Sequence, residues 1–234
     1  MSDDPTPPLP SDHGDRLERG PLRMLTMMQV IALVVVVAVL SVGLTLWFTD
    51  DDSESFNEVD IGFLADMTTH HQGAISLAFD YLPVEGDDVV GHIAREVVTH
   101  QSVEIATMNE QLSRAGADDD PVLTDGVAME WMGDPVSPAD MPGMPSGADV
   151  AELEAATGTA ADDLFSRLMI EHHVAGAAMA DYEAEHGEND TVRAFAKNIA
   201  AAQRNEIADL NARRERLGLA PIDAAGSSGH DAHG

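Results

Sequence analysis

The chain has no cysteine, only 4% aromatic residues, and 12 Lys+Arg against 42 Asp+Glu in its 234 residues. Without cysteine there is no disulfide, thiolate zinc site, iron–sulfur cluster, c-type haem attachment, cysteine nucleophile or acylated lipoprotein cysteine. Any metal must be held by His, Met, Asp or Glu. The formal charge of −30 offers no basic stripe to neutralise a phosphate backbone, which argues against nucleic acid as a partner. Also missing are G-x-S-x-G, G-x-x-x-x-G-K-[ST] and H-E-x-x-H, so hydrolase and nucleotide-enzyme readings have no motif to rest on. At ~100–200 residues per domain, the length admits one soluble domain with attachments.

Charge disappears altogether between Arg23 and Asp50, and the centre of that run, Val30 to Leu40, is wholly apolar. At ~1.5 Å per residue the stretch 24–48 rises roughly 37 Å, enough to cross a hydrocarbon core of about 30 Å with tilt. Arg16, Arg19 and Arg23 flank it on one side, Asp50, Asp51 and Asp52 on the other, with Trp47 and Phe48 as interfacial anchors. These features predict a single-pass transmembrane helix with a cytoplasmic N-terminus and an extracytoplasmic C-terminal domain in the cell membrane. A cleaved signal peptide is the competing reading, but the apolar run is long. Residues 1–23, rich in proline and polar side chains, are expected to be a disordered cytoplasmic tail. Beyond the apolar run remain 37 acids and nine bases, a formal charge of −28 that keeps a surface soluble and concentrates cations. A solvated face or adaptation to salt explains it equally well.

The rest of the chain is duplicated. Residues 60–116 overlie 162–218 at a constant offset of 102 without a gap. The matches include Asp60/Asp162, Phe63/Phe165, Met67/Met169, His70/His172, His71/His173, Gln101/Gln203, Glu104/Glu206 and Gly116/Gly218. In copy one, Phe63, Met67, His70, Ala74 and Leu77 follow the 4-3-4-3 spacing of one helical stripe, with Asp60 as candidate cap. A turn at Pro83–Asp88 leads to a second helix, about 88–114, whose inner stripe is Ile93, Val97, Gln101, Glu104 and Met108, stopped by Gly116. Copy two repeats this with Phe165, Met169, His172, Gly176 and Met179, then Phe195, Ile199, Gln203, Glu206 and Leu210, stopped by Gly218. Neither hairpin can bury its stripe alone, so the expected fold is an all-α, antiparallel four-helix bundle over residues 58–219 with approximate two-fold symmetry. The linker 117–161, rich in Met and Pro, is expected to cross the bundle with one short helix near 148–156, and 220–234 to form a disordered tail.

Polar residues occupy the core stripe at the same places in both copies. His70, Gln101 and Glu104, with His172, Gln203 and Glu206, stand where Leu or Ile would maximise burial, and an unpaired buried carboxylate costs several kcal/mol. Imidazole, carboxylate and thioether from facing helices are what a metal site in a bundle core requires. Within Met-x-x-His-His one Met can approach a metal with either His, whereas the adjacent imidazoles diverge by about 100°, so one His per pair is expected at the exact centre. The candidate ligands are His70, His71, His172 and His173, with Met67 and Met169 as soft donors and Glu104 and Glu206 for charge or orientation. Soft sulfur with imidazole places copper ahead of zinc and iron. For one copy alone, a core His bonded to a Glu, such as His70 to Glu104, is as good a reading. Recurrence of the set in the second copy shifts the balance toward a metal or polar-cluster site. Met129, Met132, Met141 and Met144 form a second candidate in the linker, as soft ligands or as apolar pegs. His100 is weaker because Ala202 replaces it in copy two, and His230 and His233 read as tail decoration.

The repeated pattern Phe63-x-x-x-Met67-x-x-His70-His71 with Gln101-x-x-Glu104-Ile105, and its copy Phe165-x-x-x-Met169-x-x-His172-His173 with Gln203-x-x-Glu206-Ile207, resembles the domain of unknown function 305 family. The resemblance spans about residues 58–219. It implies a ferritin-like four-helix bundle and, through the secreted or periplasmic CopM-type members, copper binding by His and Met. Ferritin-type di-iron sites use Glu-x-x-His, and Met67 and Met169 stand where that Glu would be. The expected function is therefore a membrane-anchored metal-binding protein, with copper the first choice, that buffers, scavenges or confers resistance. A carboxylate–histidine di-metal oxidase and a metal-free surface module are the alternatives, and homo-oligomerisation is left open.

Overall fold

The computed structural model describes residues 55–117 and 126–223. The predicted membrane span 24–48 and tail 1–23 lie outside them, as do residues 224–234 of the C-terminal tail. Among the described residues no helix is long and apolar enough to cross a membrane. The described residues form five α-helices in order: α1 (Glu58–Tyr81), α2 (Asp88–Arg114), α3 (Gly147–Ala155), α4 (Thr159–His186) and α5 (Asp190–Arg216), with two 3-10 turns in the linker. No strand occurs among the described residues; one isolated antiparallel bridge joins Ala128 to Val136 in the linker.

The helix starts follow from capping chemistry. Asn57, not Asp60, caps α1. Its side chain takes the Asp60 amide while Asp60, at the third helical position, takes the Asn57 amide, a reciprocal box that satisfies two otherwise orphaned donors. Asp87 and Asn189, equivalent across the 102-residue offset, cap α2 and α5. Gly116 (φ +67°) and Gly218 (φ +77°) take left-handed backbone at the ends of the two hairpins, as the sequence predicts. The short linker helix falls at Gly147–Ala155 behind its own Ser146/Asp149 box.

The two hairpins, α1–α2 and α4–α5, pack chiefly through α1 against α4. Those two helices run antiparallel, since Tyr81 at the C-terminal end of α1 meets Asp162 in the first turn of α4 and Asp60 in the first turn of α1 meets the end of α4. Two apolar clusters form the core. One gathers Leu77, Tyr81, Val97, Phe165, Met169 and Leu210; the other gathers Phe63, Met67, Met108, Leu112, Met179 and Ile199. Each cluster mixes both copies, and Met67 and Met169 fall in opposite ones. The expected inner stripe is corrected at Phe195, which is only partly buried; Val192 and Ala196 on its helix carry the burial instead.

The same two-fold relation appears in the buried acids. The Asp162 carboxylate accepts from Tyr81 Oη at 2.6 Å and from the Asp87 amide at 2.9 Å. Its counterpart Asp60 accepts from the Asn57, Glu188 and Asn189 amides at 2.7, 3.1 and 3.1 Å, and the residue in the place of Tyr81 is Glu183. Each hairpin thus offers an acid that the other hairpin covers.

A candidate metal centre in the mid-bundle histidine layer

Between the two apolar clusters lies a polar layer. All four histidines of the two doublets are fully buried, and one of each pair, His70 and His172, stands at the centre as the sequence predicts while the other turns to a carboxylate. The doublets divide their work by direction. His70 and His172, facing each other across the α1/α4 seam, bring their ring centroids to 3.7 Å with 33° between planes. His71 and His173, one residue on, turn toward their own hairpin partners. His71 Nε2 meets Glu104 Oε2 at 2.8 Å and His173 Nε2 meets Glu206 Oε2 at 2.6 Å. The His70–Glu104 pair considered from sequence is therefore replaced by His71–Glu104, because a step of about 100° per residue turns the second histidine of the doublet toward α2.

Hydrogen bonds fix which nitrogen of each ring is bare. His172 Nε2 lies 2.8 Å from the His70 carbonyl and His70 Nε2 lies 3.1 Å from the Pro142 carbonyl. A carbonyl only accepts, so both Nε2 atoms carry the hydrogen and both Nδ1 atoms present lone pairs. Neither Nδ1 has a partner. His71 Nδ1 is equally without one, whereas His173 Nδ1 donates to the Met169 carbonyl at 2.6 Å. Gln101 Nε2 comes within 3.3 Å of His173 Nε2, but its Oε1 and both amide atoms of Gln203 are unpartnered. Six buried polar atoms in one layer lack hydrogen bonds, each a cost of about 1–3 kcal/mol if left so.

Electrostatics keep the central pair neutral. Burial first, then the neighbouring His71 and His173, push His70 down to about 3 despite its Pro142 bond. Burial and the other three histidines hold His172 well below the ordinary imidazole value. Glu206 is itself below the carboxylate range: burial opposes its ionisation, but the bonds and charges of His173 and His100 outweigh that. Neutral imidazoles with bare nitrogens, oriented by backbone carbonyls through the opposite nitrogen, are the state in which histidine ligates a metal.

The linker closes one side of this layer. Gly143 (φ +80°) lies so close to α4 that a Cβ on it would fall 2.7 Å from His172 Cα and 2.9 Å from the Glu171 carbonyl. Met144 rests on Gly73, where a Cβ would meet its Sδ at 2.7 Å. Met129 and Met141 are buried, and the Asp66 carboxylate holds the Met129 amide at 2.6 Å and Trp131 Nε1 at 2.7 Å. Two of the linker methionines are thus buried, and Met144 is seated beside the histidine layer.

Of the eight predicted site residues, the four histidines and two glutamates share the layer. Met67 and Met169 lie in the separate apolar clusters above and below it. Among the described residues no three His, Asp or Glu side chains already stand in a metal-holding group. His100, ranked low from sequence, reaches Glu206 Oε1 with Nδ1 at 3.4 Å. Pro142 and Gly143 carry no signal as site residues in the sequence, because nothing local in a linker says where it crosses.

The profile of the family described as Domain of unknown function (DUF305) matches residues 58–214, both copies and the linker together. The chain belongs to the DUF305 family. It is similar to a DUF305 protein from Streptomyces coelicolor, with 25% identity and TM-score 0.63, covering 70% of this chain and 97% of that one. A DUF305 fragment from Deinococcus radiodurans is 28% identical with TM-score 0.59, covering 70% and 99%. CopM in its Cu(II)-bound form has 23% identity and TM-score 0.50, covering 68% and 97%, a likeness of fold. None of the curated proteins matches the chain.

Proposed function

We propose that this DUF305 protein is a membrane-anchored, extracytoplasmic copper-binding protein that captures the ion in its histidine layer and serves as a buffer, scavenger or resistance factor. The observation that carries the reading is the set of bare, fully buried Nδ1 atoms on His70, His71 and His172, held in place from their other nitrogens. An apolar core would gain by replacing them, and a bound ion gives the lone pairs a partner. His70, His71 and His172 supply nitrogen through their bare Nδ1 atoms, His173 joins them only if it gives up its bond to the Met169 carbonyl or to Glu206, and Glu104 and Glu206 supply charge and orient the rings they touch. Bound copper would supply its affinity for imidazole and thioether. Met67 and Met169, one turn before the doublets, are the soft donors of the proposal, although both pack in the apolar clusters. That CopM, of the same fold, holds Cu(II) makes the ion compatible with this architecture. Anchoring rests on the uncharged run 24–48 and its flanking charges.

The test is elemental analysis with Cu(I) and Cu(II) titration of the wild type and of a His70/His71/His172/His173→Ala variant, with circular dichroism to establish retained helix. Stoichiometric uptake by the wild type, lost in the variant at equal helix content, is the expected result. Equal uptake by both proteins would remove copper from the histidine layer.

A further inference from the structure

The two seams between the hairpins are unequal. Along α1/α4 the linker lies over the histidine layer through Pro142, Gly143 and Met144. Along α2/α5 the helices face each other more sparsely, and a cavity of about 280 Å³ opens between them. Glu96, Val97 and His100 line it from α2, and Ala202, Glu206 and Asp209 from α5.

Glu206 belongs to both the cavity and the core. Its Oε1 faces the cavity beside His100 Nδ1, at 3.4 Å, and its Oε2 holds His173 Nε2 at 2.6 Å. The His100 side chain is 61% exposed and that of His173 is 0%, so a single carboxylate spans from solvent to the sealed layer. The mirror-related arrangement around Glu104 and His71 lacks its outer half, since Ala202 stands at the position equivalent to His100. The two-fold relation is broken at this bridge.

We propose that the α2/α5 cavity is a capture site for a divalent cation with a preference for imidazole and carboxylate, Cu(II) in the first instance, and the port through which that cation reaches the histidine layer. The inference rests on the copper reading above. His100 Nδ1 and Glu206 Oε1 are the first two ligands. Glu96 and Asp209 make the mouth anionic, and an acidic cleft with low-dielectric walls concentrates cations and raises their on-rate. A cation seated on Glu206 is one carboxylate away from the buried imidazole, while the α1/α4 side is closed by the linker.

The experiment mixes the metal-free full chain rapidly with Cu(II) and follows uptake by competition with a coloured copper chelator; elemental analysis gives the copper bound at equilibrium. Three proteins are compared: wild type, His100→Ala, and His186→Ala as a control that removes an exposed histidine outside the cavity. The expected result is a loading rate about tenfold slower for His100→Ala at equal helix content by circular dichroism, and a rate for His186→Ala like that of the wild type. Equal rates for wild type and His100→Ala would overturn the port and leave the copper site standing. A wild type that takes up no copper would overturn both.

Discussion

Replacing Glu183 by glutamine should make the protein more stable at neutral pH and flatten its response to alkali. Glu183 is fully buried near the end of α4, and no donor reaches either of its oxygens. Asp60 beside it is already taken by three backbone amides, which leaves a proton on Glu183 as the group that reconciles the two acids. Burial, with the hydrogen bond to Asp60 and its charge, pushes Glu183 from 4.5 up to about 9, against the pull of Arg193. The native state then holds a proton that the unfolded state releases above 4.5. Stability from this group is complete below about 4.5 and falls as pH rises toward 9, at up to ~1.4 kcal/mol per unit. At pH 7 the cost is at most about 3.4 kcal/mol, and relaxation around the carboxyl lowers it toward about 1–2 kcal/mol. The side-chain amide introduced by Glu183→Gln keeps an N–H for Asp60 and has nothing to ionise. Urea unfolding of both proteins at pH 5, 7 and 9 reads the difference directly: the advantage of Glu183→Gln should grow with pH and level off beyond 9. A difference that stays constant across that range would refute a proton shared with Asp60.

Tyr81→Phe removes the counterpart bond at the other end of the α1/α4 pair, leaving Asp162 with the Asp87 amide but without its hydroxyl donor. The expected loss is about 1–3 kcal/mol in thermal or urea unfolding, with little dependence on pH between 5 and 8. Gly143→Ala puts a methyl within 2.7 Å of His172 Cα on a residue at φ +80°. The linker must lift, costing about 1–3 kcal/mol, and the His70 ring resonances should move in an NMR spectrum as the Pro142 carbonyl withdraws.

The helices, their duplication and the burial of the histidines are legible in the sequence because periodicity and an internal copy are one-dimensional signals. The bounds of α2 and α5 and the glycine stops lie where the spacing places them. The cap of α1 lies three residues before the position the sequence suggests, because Asp60 is part of the capping box but not its N-cap. Which histidine meets which glutamate depends on how α1 rolls against α2, which a stripe drawn at single-residue coarseness does not resolve. Asp60 and Asp162 stand out as matched residues, yet their partners come from the other hairpin, 129 and 81 residues away, and exist only once the helices pack antiparallel. Phe195 draws the core stripe to itself by hydrophobicity, whereas Val192 and Ala196 on the same helix are the residues fully buried. The crossing of the linker at Pro142–Met144 has no local signal at all.

The reciprocal clasps at the two ends of α1 and α4 have the form of an isologous contact: each half presents one surface that answers its twin. Two free-standing hairpins joined in this way would have to keep every residue identical. Tethering them in a single polypeptide lifts that obligation, so a tyrosine can serve one end and a glutamic acid the other, and a lone histidine can be set on one flank without a mirror image. Departure from symmetry becomes heritable one side at a time, and it is on the unlike side that a direction of traffic can be built.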